Sequence, residues 1–299
     1  MNKGVLYAAA SYAIWGFFPL YFHAINAAPP LQIVAHRVFW SFLCVGAAIL
    51  LRKEFSSLRK VLTWRVVLIY LTASILLAAN WLIYVWAVNS GFVLQASLGY
   101  YINPLVSVIC GVALLRERLR PLQWLPIALA ASGVLYLTVN LGTLPWVALA
   151  LAFSFGLYGL IKKIAPLNAL HGLTLETTLL LIPAMAFLAF SEANGSGAFG
   201  HIPLSVSLLL ALTGVVTVIP LLLFASGARR VPLSTLGLLQ YIAPTLQFII
   251  GVYVFGEPLS HTNVIGFLII WTALAIFSAE GLLQKRKTYR LAQAAKAIQ

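Results

Sequence analysis

The chain contains no aspartate. Its six acidic residues are all glutamate, against 19 lysines and arginines, and charged residues make up only 8% of the 299 positions. A soluble domain carries about 25%. So little charge excludes an ordinary soluble surface. It also removes the paired carboxylates that acid–base and two-metal chemistry depend on. Cysteine is nearly absent as well. Cys44 and Cys110 both fall in apolar runs, where they read as inert packing residues, and they offer neither a disulfide framework nor a metal spacing. The sequence has no Walker motif, glycine-rich dinucleotide loop, zinc spacing or serine nucleophile elbow. ATP-driven work or catalysis by this chain alone is therefore not expected, and neither is a metal or a cofactor.

What is abundant is apolar: 62% of the residues are hydrophobic and the mean hydropathy is +0.98. A bilayer core of roughly 30 Å takes about 20 helical residues. Ten stretches meet that length, at 4–22, 31–51, 66–88, 93–115, 121–139, 144–161, 169–190, 205–226, 232–254 and 262–283. Lys3 leads straight into the first of them, which reads as a retained helix rather than a cleaved leader. Pro121, Pro145 and Pro232 stand at helix starts, where a missing N–H costs nothing extra. The segment after Leu283 is basic and polar and reads as a surface helix or a loose tail.

The formal net charge of +13 raises nucleic acid as a partner, but that needs a basic patch on a folded surface with aromatics beside it. Here the basic residues lie between the apolar stretches, where they set orientation and meet anionic lipid. With the N-terminus in the cytoplasm, the inner segments collect Lys3, the cluster from Arg52 to Arg65, Arg116 to Arg120, Lys162 and Lys163, Arg229 and Arg230, and the tail from Lys285. Those are 18 of the 19 basic residues, and the last, Arg37, is inside helix 2. Nine or eleven spans would spoil the alternation. Ten spans and two cytoplasmic termini therefore support each other, and the lipid bilayer, not nucleic acid, is the expected surroundings.

A repeat runs through the chain at a constant offset. Tyr101-Ile102-Asn103-Pro104 returns as Tyr241-Ile242-Ala243-Pro244, and Gly16/Gly156, Gly111/Gly251, Glu117/Glu257 and Leu119/Leu259 keep the same spacing of 140. Residues 1–140 and 141–284 are thus two copies of a five-helix unit, followed by a basic tail at 285–299. Five is odd, so the second copy must cross the membrane in the opposite direction. The expected fold is all-α and integral to the membrane, with ten transmembrane helices as two inverted five-helix repeats. Such repeats around a midplane site are a hallmark of secondary transporters. The alternative is a duplicated bundle without transport. Pro104 and Pro244 break hydrogen bonds inside helices 4 and 9 and are hinge candidates. They are expected at similar depth near the midplane, across a two-fold axis in the membrane plane.

Few residues inside the spans can carry chemistry. Arg37 sits roughly 9 Å in from the outer end of helix 2 at 1.5 Å per residue. A charge there usually faces a cavity or a partner; the competing reading is snorkelling to the headgroups. His36 beside it points to another face and is either a hydrogen-bonded packing residue or a proton carrier. Glu176 is the one acid deep in a span and the repeat mate of His36. With Arg37 it could address the two ends of a dipolar solute in one cavity, or it could make an inner gate contact with Lys162 or His171. Tyr12, Trp15, Trp40, Trp81, Tyr84, Tyr100, Tyr101, Tyr158 and Tyr241 are aromatic residues deep in spans, where O–H and N–H groups need partners. Asn80, Asn103, Gln240 and Gln247 add amides to the same helices. Each alone reads as interhelical packing; the set reads as the wall of a polar cavity. Tyr12, Trp15, Arg37, Trp40, Asn80, Tyr84, Tyr101, Asn103, Tyr158, Glu176, Gln240 and Tyr241 are the candidate substrate pathway, and His36 and Glu176 the candidate proton carriers.

Several strings are long enough to be specific. They include Tyr12-Ala13-Ile14-Trp15-Gly16, Ala35-His36-Arg37-Val38-Phe39-Trp40-Ser41, Asn80-Trp81-Leu82-Ile83-Tyr84, Gln95-Ala96-Ser97-Leu98-Gly99-Tyr100-Tyr101-Ile102-Asn103-Pro104, Leu157-Tyr158-Gly159, Leu175-Glu176-Thr177 and Gln240-Tyr241-Ile242-Ala243-Pro244. In these the chain resembles the RarD-type proteins of the EamA family, within the drug/metabolite transporter superfamily, over nearly its whole length except the tail. The resemblance implies a ten-helix permease or exporter of small molecules in the bacterial inner membrane, with both termini cytoplasmic. Members of the superfamily move amino acids, nucleotide sugars or drugs. The family often has Glu where this chain has Gln95, so no proton role of a carboxylate carries over to that position. The expectation is a multi-pass secondary transporter of small metabolites, amino acids or amphipathic drugs, working by alternating access on a small-molecule solute. An integral-membrane sensor or enzyme without transport is the alternative. The solute, the coupling and the oligomeric state stay open.

Overall fold

The computed structural model describes residues 3–90, 92–256 and 261–297. Among them it contains helices and no strand. That follows from the composition, because in hydrocarbon a chain must satisfy its backbone groups internally and a helix does so within one segment. Ten helical stretches are long and apolar enough to cross a bilayer, and we number them as spans 1 to 10: Lys3–Ala24, Pro30–Leu51, Trp64–Ala87, Gln95–Leu114, Pro121–Leu141, Trp146–Ile164, Ala169–Ala193, Leu204–Ala228, Leu233–Tyr253 and Val264–Gly281. They match the ten expected stretches to within a few residues.

Local sequence sets the ends. Pro30 and Pro121 open spans 2 and 5, and Pro145, Pro203 and Pro232 stand just before spans 6, 8 and 9. The Asn168 side chain caps span 7 by accepting from His171 N at 2.8 Å. Gly142, at φ 71°, closes span 5 in the left-handed region that glycine tolerates. One feature lies outside the expected pattern: the link after span 2 contains a short helix, Phe55–Val61. Of the two readings of the segment after Leu283 the structure has the helix, continuous with the last span from His261 to Ala297.

The packing repeats with the sequence. Span 1 packs on span 8 as span 6 packs on span 3; spans 2 and 8 pair as spans 7 and 3 do; spans 4 and 6 pair as spans 9 and 1 do. Spans 2 and 7, 4 and 9, and 5 and 10 meet their own mates. Exchanging each span for the one five places on leaves these principal pairs unchanged. The close approaches obey the same exchange. A Cβ on Gly16 would fall 2.6 Å from Leu246, and one on Gly156 would fall 2.6 Å from Val106. All four positions are related by the offset of 140. At the centre the Tyr241 hydroxyl donates to the carbonyl of its own mate, Tyr101, at 3.1 Å.

The two prolines are not handled alike. Span 9 is interrupted at Tyr241, between Leu233–Gln240 and Ile242–Tyr253, so Pro244 lies in the first turn of a new helix. Span 4 runs as one helix through Pro104 and ends in a π turn, Cys110–Leu114. Span 1 also breaks, at Phe17, just before Pro19. Glu257 and Leu259, the mates of Glu117 and Leu119, lie outside the described residues.

Candidate functional site

A cavity of about 410 Å³ occupies the middle of the bundle. Its mouth is at the turn between spans 1 and 2, where Asn26 and Pro30 are exposed, at the end of the bundle away from the N-terminus. Its walls come from spans 1 to 4 and from 6, 8 and 9. They are mostly apolar and aromatic, with Trp15, Phe18, Phe22, Trp81, Tyr84, Tyr100 and Phe155 among them, and with a few polar groups: Arg37, Asn80, Asn103, Gln240 and Gln247. A largely apolar pocket with a small number of placed polar groups is the usual build of a small-molecule site.

Arg37 is turned into the bundle and only 9% exposed. Its Nε donates to Thr217 Oγ1 of span 8 at 3.1 Å. Its guanidinium carbon lies 4.2 Å from the centre of the Trp81 ring, with Phe22 and Phe18 at 5.5 and 5.8 Å. Buried cation–π contacts of this kind are worth about 2 kcal/mol. Among the described residues no carboxylate lies within ion-pair distance of it. Snorkelling does not describe this side chain, because its charged end lies under aromatic rings inside the protein.

The inner end of the cavity is closed by a cluster of tilted and edge-on rings. Tyr12 and Trp15 of span 1 meet Phe155 of span 6 and Phe224 of span 8, with neighbouring centroids 5.4 to 6.1 Å apart. Phe224 stacks on Tyr158 at 5.9 Å and 11°. Behind the rings lies the buried ion pair: Lys162 Nζ is 2.7 Å from Glu176 Oε1, and the Tyr158 hydroxyl donates to Glu176 Oε2 at 3.2 Å. Further out, Lys163 of span 6 donates to the carbonyls of Ala228 and Val231 at the end of span 8, at 3.3 and 2.5 Å. Arg229 of span 8 answers by donating to the carbonyls of Ala165 and Leu167 at the end of span 6. Glu117 accepts from the N–H groups of Leu233 and Ser234 at 2.5 and 3.0 Å, holding the first turn of span 9. Carboxylate on helix N-terminus and cations on helix C-termini are the favourable arrangement with the helix dipole. The bundle is sealed at this end and open at the other.

The candidate pathway residues divide accordingly. Tyr12, Trp15, Arg37, Asn80, Tyr84, Asn103, Gln240 and Pro244 line the cavity. Asn80 spends its amide N–H groups on Leu151 O and Ser154 Oγ, at 2.9 and 3.0 Å, and so also ties span 3 to span 6. Trp40, Tyr101, Tyr158, Glu176, Tyr241 and Pro104 lie off it. Tyr158 and Glu176 belong to the seal, Tyr101 packs edge-on to Phe267 at 5.2 Å, and Trp40 and His36 pack on Phe199 of the loop before span 8. Glu176 and Arg37 share a separate void of about 10 Å³, the room of one water. They do not face each other across the main cavity because Lys162 takes the carboxylate. His171 instead lies 2.8 Å from Glu54. Of four buried polar atoms without a partner among the described residues, Tyr12 Oη and Asn103 Oδ1 belong to lining residues, and His36 Nδ1 and Trp40 Nε1 do not.

The sequence reading missed Phe18, Phe22 and Phe155 in the wall, and Thr217 as the arginine's partner. A spacing of four puts Phe18 and Phe22 on one face, and Thr213 and Thr217 repeat that spacing in an otherwise apolar span, so both were readable signals. Gln95 is buried between spans 4 and 6, where its Oε1 accepts from Val147 N at 3.2 Å, a structural cap that needs no charge.

Comparison with known proteins points the same way as the geometry. The model of the EamA-like transporter family matches residues 2–139 and again 144–279. The "Uncharacterized transporter YojE" of Bacillus subtilis is 45% identical over 290 residues, covering 95% of this chain and 96% of that one. "Protein RarD" of Escherichia coli is 42% identical over 289 residues, covering 96% and 97%. A solved crystal structure at 22% identity superposes with a TM-score of 0.71, covering 92% of this chain and 97% of the other, and shares the fold. Ten apolar spans, a mirrored packing scheme, a central cavity and a family match that occurs twice make the chain a multi-pass membrane protein of the EamA-like transporter family.

Proposed function

We propose that the chain is a secondary transporter, a permease or exporter of small metabolites, amino acids or amphipathic drugs, working by alternating access in the bacterial inner membrane. The observation that carries this reading is the one-sided cavity: about 410 Å³ in the bundle centre, reaching one end and sealed at the other by rings, an ion pair and helix-end clasps. A solute site at the junction of two inverted units is where an alternating-access carrier needs one. The halves 1–140 and 141–284 are the moving units, with the breaks near Pro19 and Pro244 and the proline in span 4 as hinges, and 285–299 is a basic tail. The location of 18 of the 19 basic residues in the segments on the side of the termini supports a cytoplasmic position for that side. The cavity then faces outward in this conformation.

The test is flux. Purified protein in liposomes is loaded against a panel of labelled amino acids, organic acids, sugars and amphipathic drugs, with and without a pH gradient. Saturable, protein-dependent movement of at least one class is expected. The gradient arm decides between proton coupling through Glu176 and His36 and facilitated diffusion. No flux for any class refutes the reading.

A further inference from the structure

The positive charge in the cavity wall has no counter-charge among the described residues. A guanidinium carries five N–H donors, and Arg37 uses Nε on Thr217. Among the described residues its two Nη groups donate to no protein atom and no acid lines the cavity. An unpaired buried charge costs several kcal/mol, and aromatic contacts recover only part of it. The acid that shares a small void with Arg37 is already neutralised: Glu176 is paired with Lys162 at 2.7 Å. Arg37, Lys162 and Glu176 together therefore sum to one positive charge at the centre of the bundle.

We infer that the cavity takes an amphipathic monoanion: a solute with one carboxylate seated on the Arg37 Nη groups and an apolar, aromatic-sized body lying among Trp15, Phe18, Phe22 and Trp81. This deepens the transporter reading and rests on it. The planar guanidinium fork matches a carboxylate in two parallel hydrogen bonds. The charge count selects against the alternatives. A monoanion brings the centre to zero. A dianion overshoots it in a low-dielectric site, and a cation meets a like charge. A zwitterion finds its carboxylate partner but no acid for its ammonium, because the one acid within reach is held by Lys162 and Tyr158. The rings around Arg37 exclude water from the pair and so strengthen it.

The test is binding to the full-length protein in detergent micelles by isothermal titration, using four probes of one shape: 3-phenylpropanoate, 3-phenylpropanamide, phenylalanine and phenethylamine. A charge-assisted pair in a buried site predicts that the acid binds at least about tenfold tighter than the amide, with phenylalanine and phenethylamine weaker than the acid. Arg37→Gln brings acid and amide within about twofold, and Arg37→Lys keeps part of the discrimination by charge without the fork. Equal affinity for acid and amide in the unsubstituted protein overturns the inference, as does tighter binding of phenylalanine or phenethylamine, or no binding of the acid. The probe comparison does not need Arg37→Gln to fold. Flux of some solute with no preference for a carboxylate would overturn this inference and leave the transporter reading standing. Absence of flux for every solute class would remove the transporter reading itself.

Discussion

Replacing Glu176 with glutamine leaves the Lys162 ammonium buried without a counter-charge. The two side chains are 1% and 3% exposed and 2.7 Å apart, and the ammonium's other neighbours are the faces of Tyr70 and Tyr158, at 5.5 and 5.7 Å. Removing one partner of a buried pair costs about 3–5 kcal/mol, while replacing both with apolar groups of similar volume is about neutral. Glu176→Gln, Glu176→Leu and Lys162→Met should therefore each lower stability by about that amount, and the double variant Glu176→Leu/Lys162→Met should recover most of what its two singles lose. Unfolding by SDS titration in mixed micelles measures the cycle. The pair also belongs to one conformation if it is part of the seal, so breaking it biases the molecule toward opening at that end. A bias of ~3 kcal/mol shifts the ratio of the two states by about 100-fold. The Leu233 and Ser234 amides, which Glu117 holds in the sealed state, should then exchange hydrogen faster in Glu176→Gln, read by mass spectrometry on peptides covering 229–236. Additive losses in the double variant would show that the two residues do not act as a pair. A destabilised variant with unchanged exchange at 233 and 234 would show that the pair holds the fold and not the seal.

Three further outcomes follow from single contacts. Gly156→Ala should destabilise by about 1–3 kcal/mol through overpacking, since its Cβ would sit 2.6 Å from Val106 Cγ1; Val106→Ala in the same chain removes that atom and should recover part of the loss, whereas Leu246→Ala should not rescue Gly16→Ala, where the 2.6 Å contact is to the Leu246 Cβ that alanine keeps, both read by the same SDS titration. Gln95→Leu should cost about 1–3 kcal/mol by orphaning the buried Val147 N–H, whereas Gln95→Glu should hold the cap at the start of span 6 and leave thermal stability close to that of the parent. Tyr241→Phe removes one hydrogen bond, to Tyr101 O, and should cost about 0.5–1.5 kcal/mol with liposome flux retained; lost flux at full stability would place Tyr241 on the solute path.

The ten spans were legible because a bilayer leaves no other solution for so apolar a chain, and because lysine and arginine punctuate it. The repeat was legible as residues at a fixed offset, and the glycines show why some of those residues recur: Gly16 and Gly156 each make room for the mate of the other's neighbour. The site was legible in part. Residue type and depth singled out Arg37, Tyr12, Trp15, Asn80, Tyr84, Asn103 and Gln240, all of which line the cavity. Depth alone did not separate cavity from seal. Tyr158 and Glu176 are alike in depth to Tyr12 and Arg37, and what parts them is Lys162: of the two readings of Glu176, a shared cavity or an inner gate contact, the structure has the contact, with Lys162 turned inward to 3% exposure. A lysine near a span end can snorkel outward or reach back to a buried acid, and only the packing decides. Pro104 and Pro244 carry the same lesson: equal residues at equal places, one inside a continuous helix and one beyond a break.

The inverted repeat is symmetric in packing and asymmetric in charge, and the asymmetry accounts for the direction in which the cavity opens. The offset of 140 maps Lys162, Lys163, Glu176 and Arg229 onto Phe22, His23, His36 and Asn89. These four ionic elements of the sealed end thus have an uncharged or weakly basic mate at the other; Glu117 is the exception, its mate Glu257 lying outside the described residues. The clasps that tie spans 6 and 8 together at one end, Lys163 on Val231 O and Arg229 on Ala165 O, have no cationic side chain to form them between spans 1 and 3. Among the described residues the sealed end is held by a buried ion pair, and the open end shows only the exposed His201–Glu192 pair. Closing the open end therefore needs a contribution from elsewhere, and the place for it is beside Phe22, where the unanswered charge of Arg37 lies 5.5 Å from the ring. An anion seated there supplies at the open end the pairing that Glu176 gives Lys162 at the sealed one. On the proposed transporter reading and the inferred monoanion, occupancy of the site and closure over it are then one event, with the solute as the missing half of an ion pair.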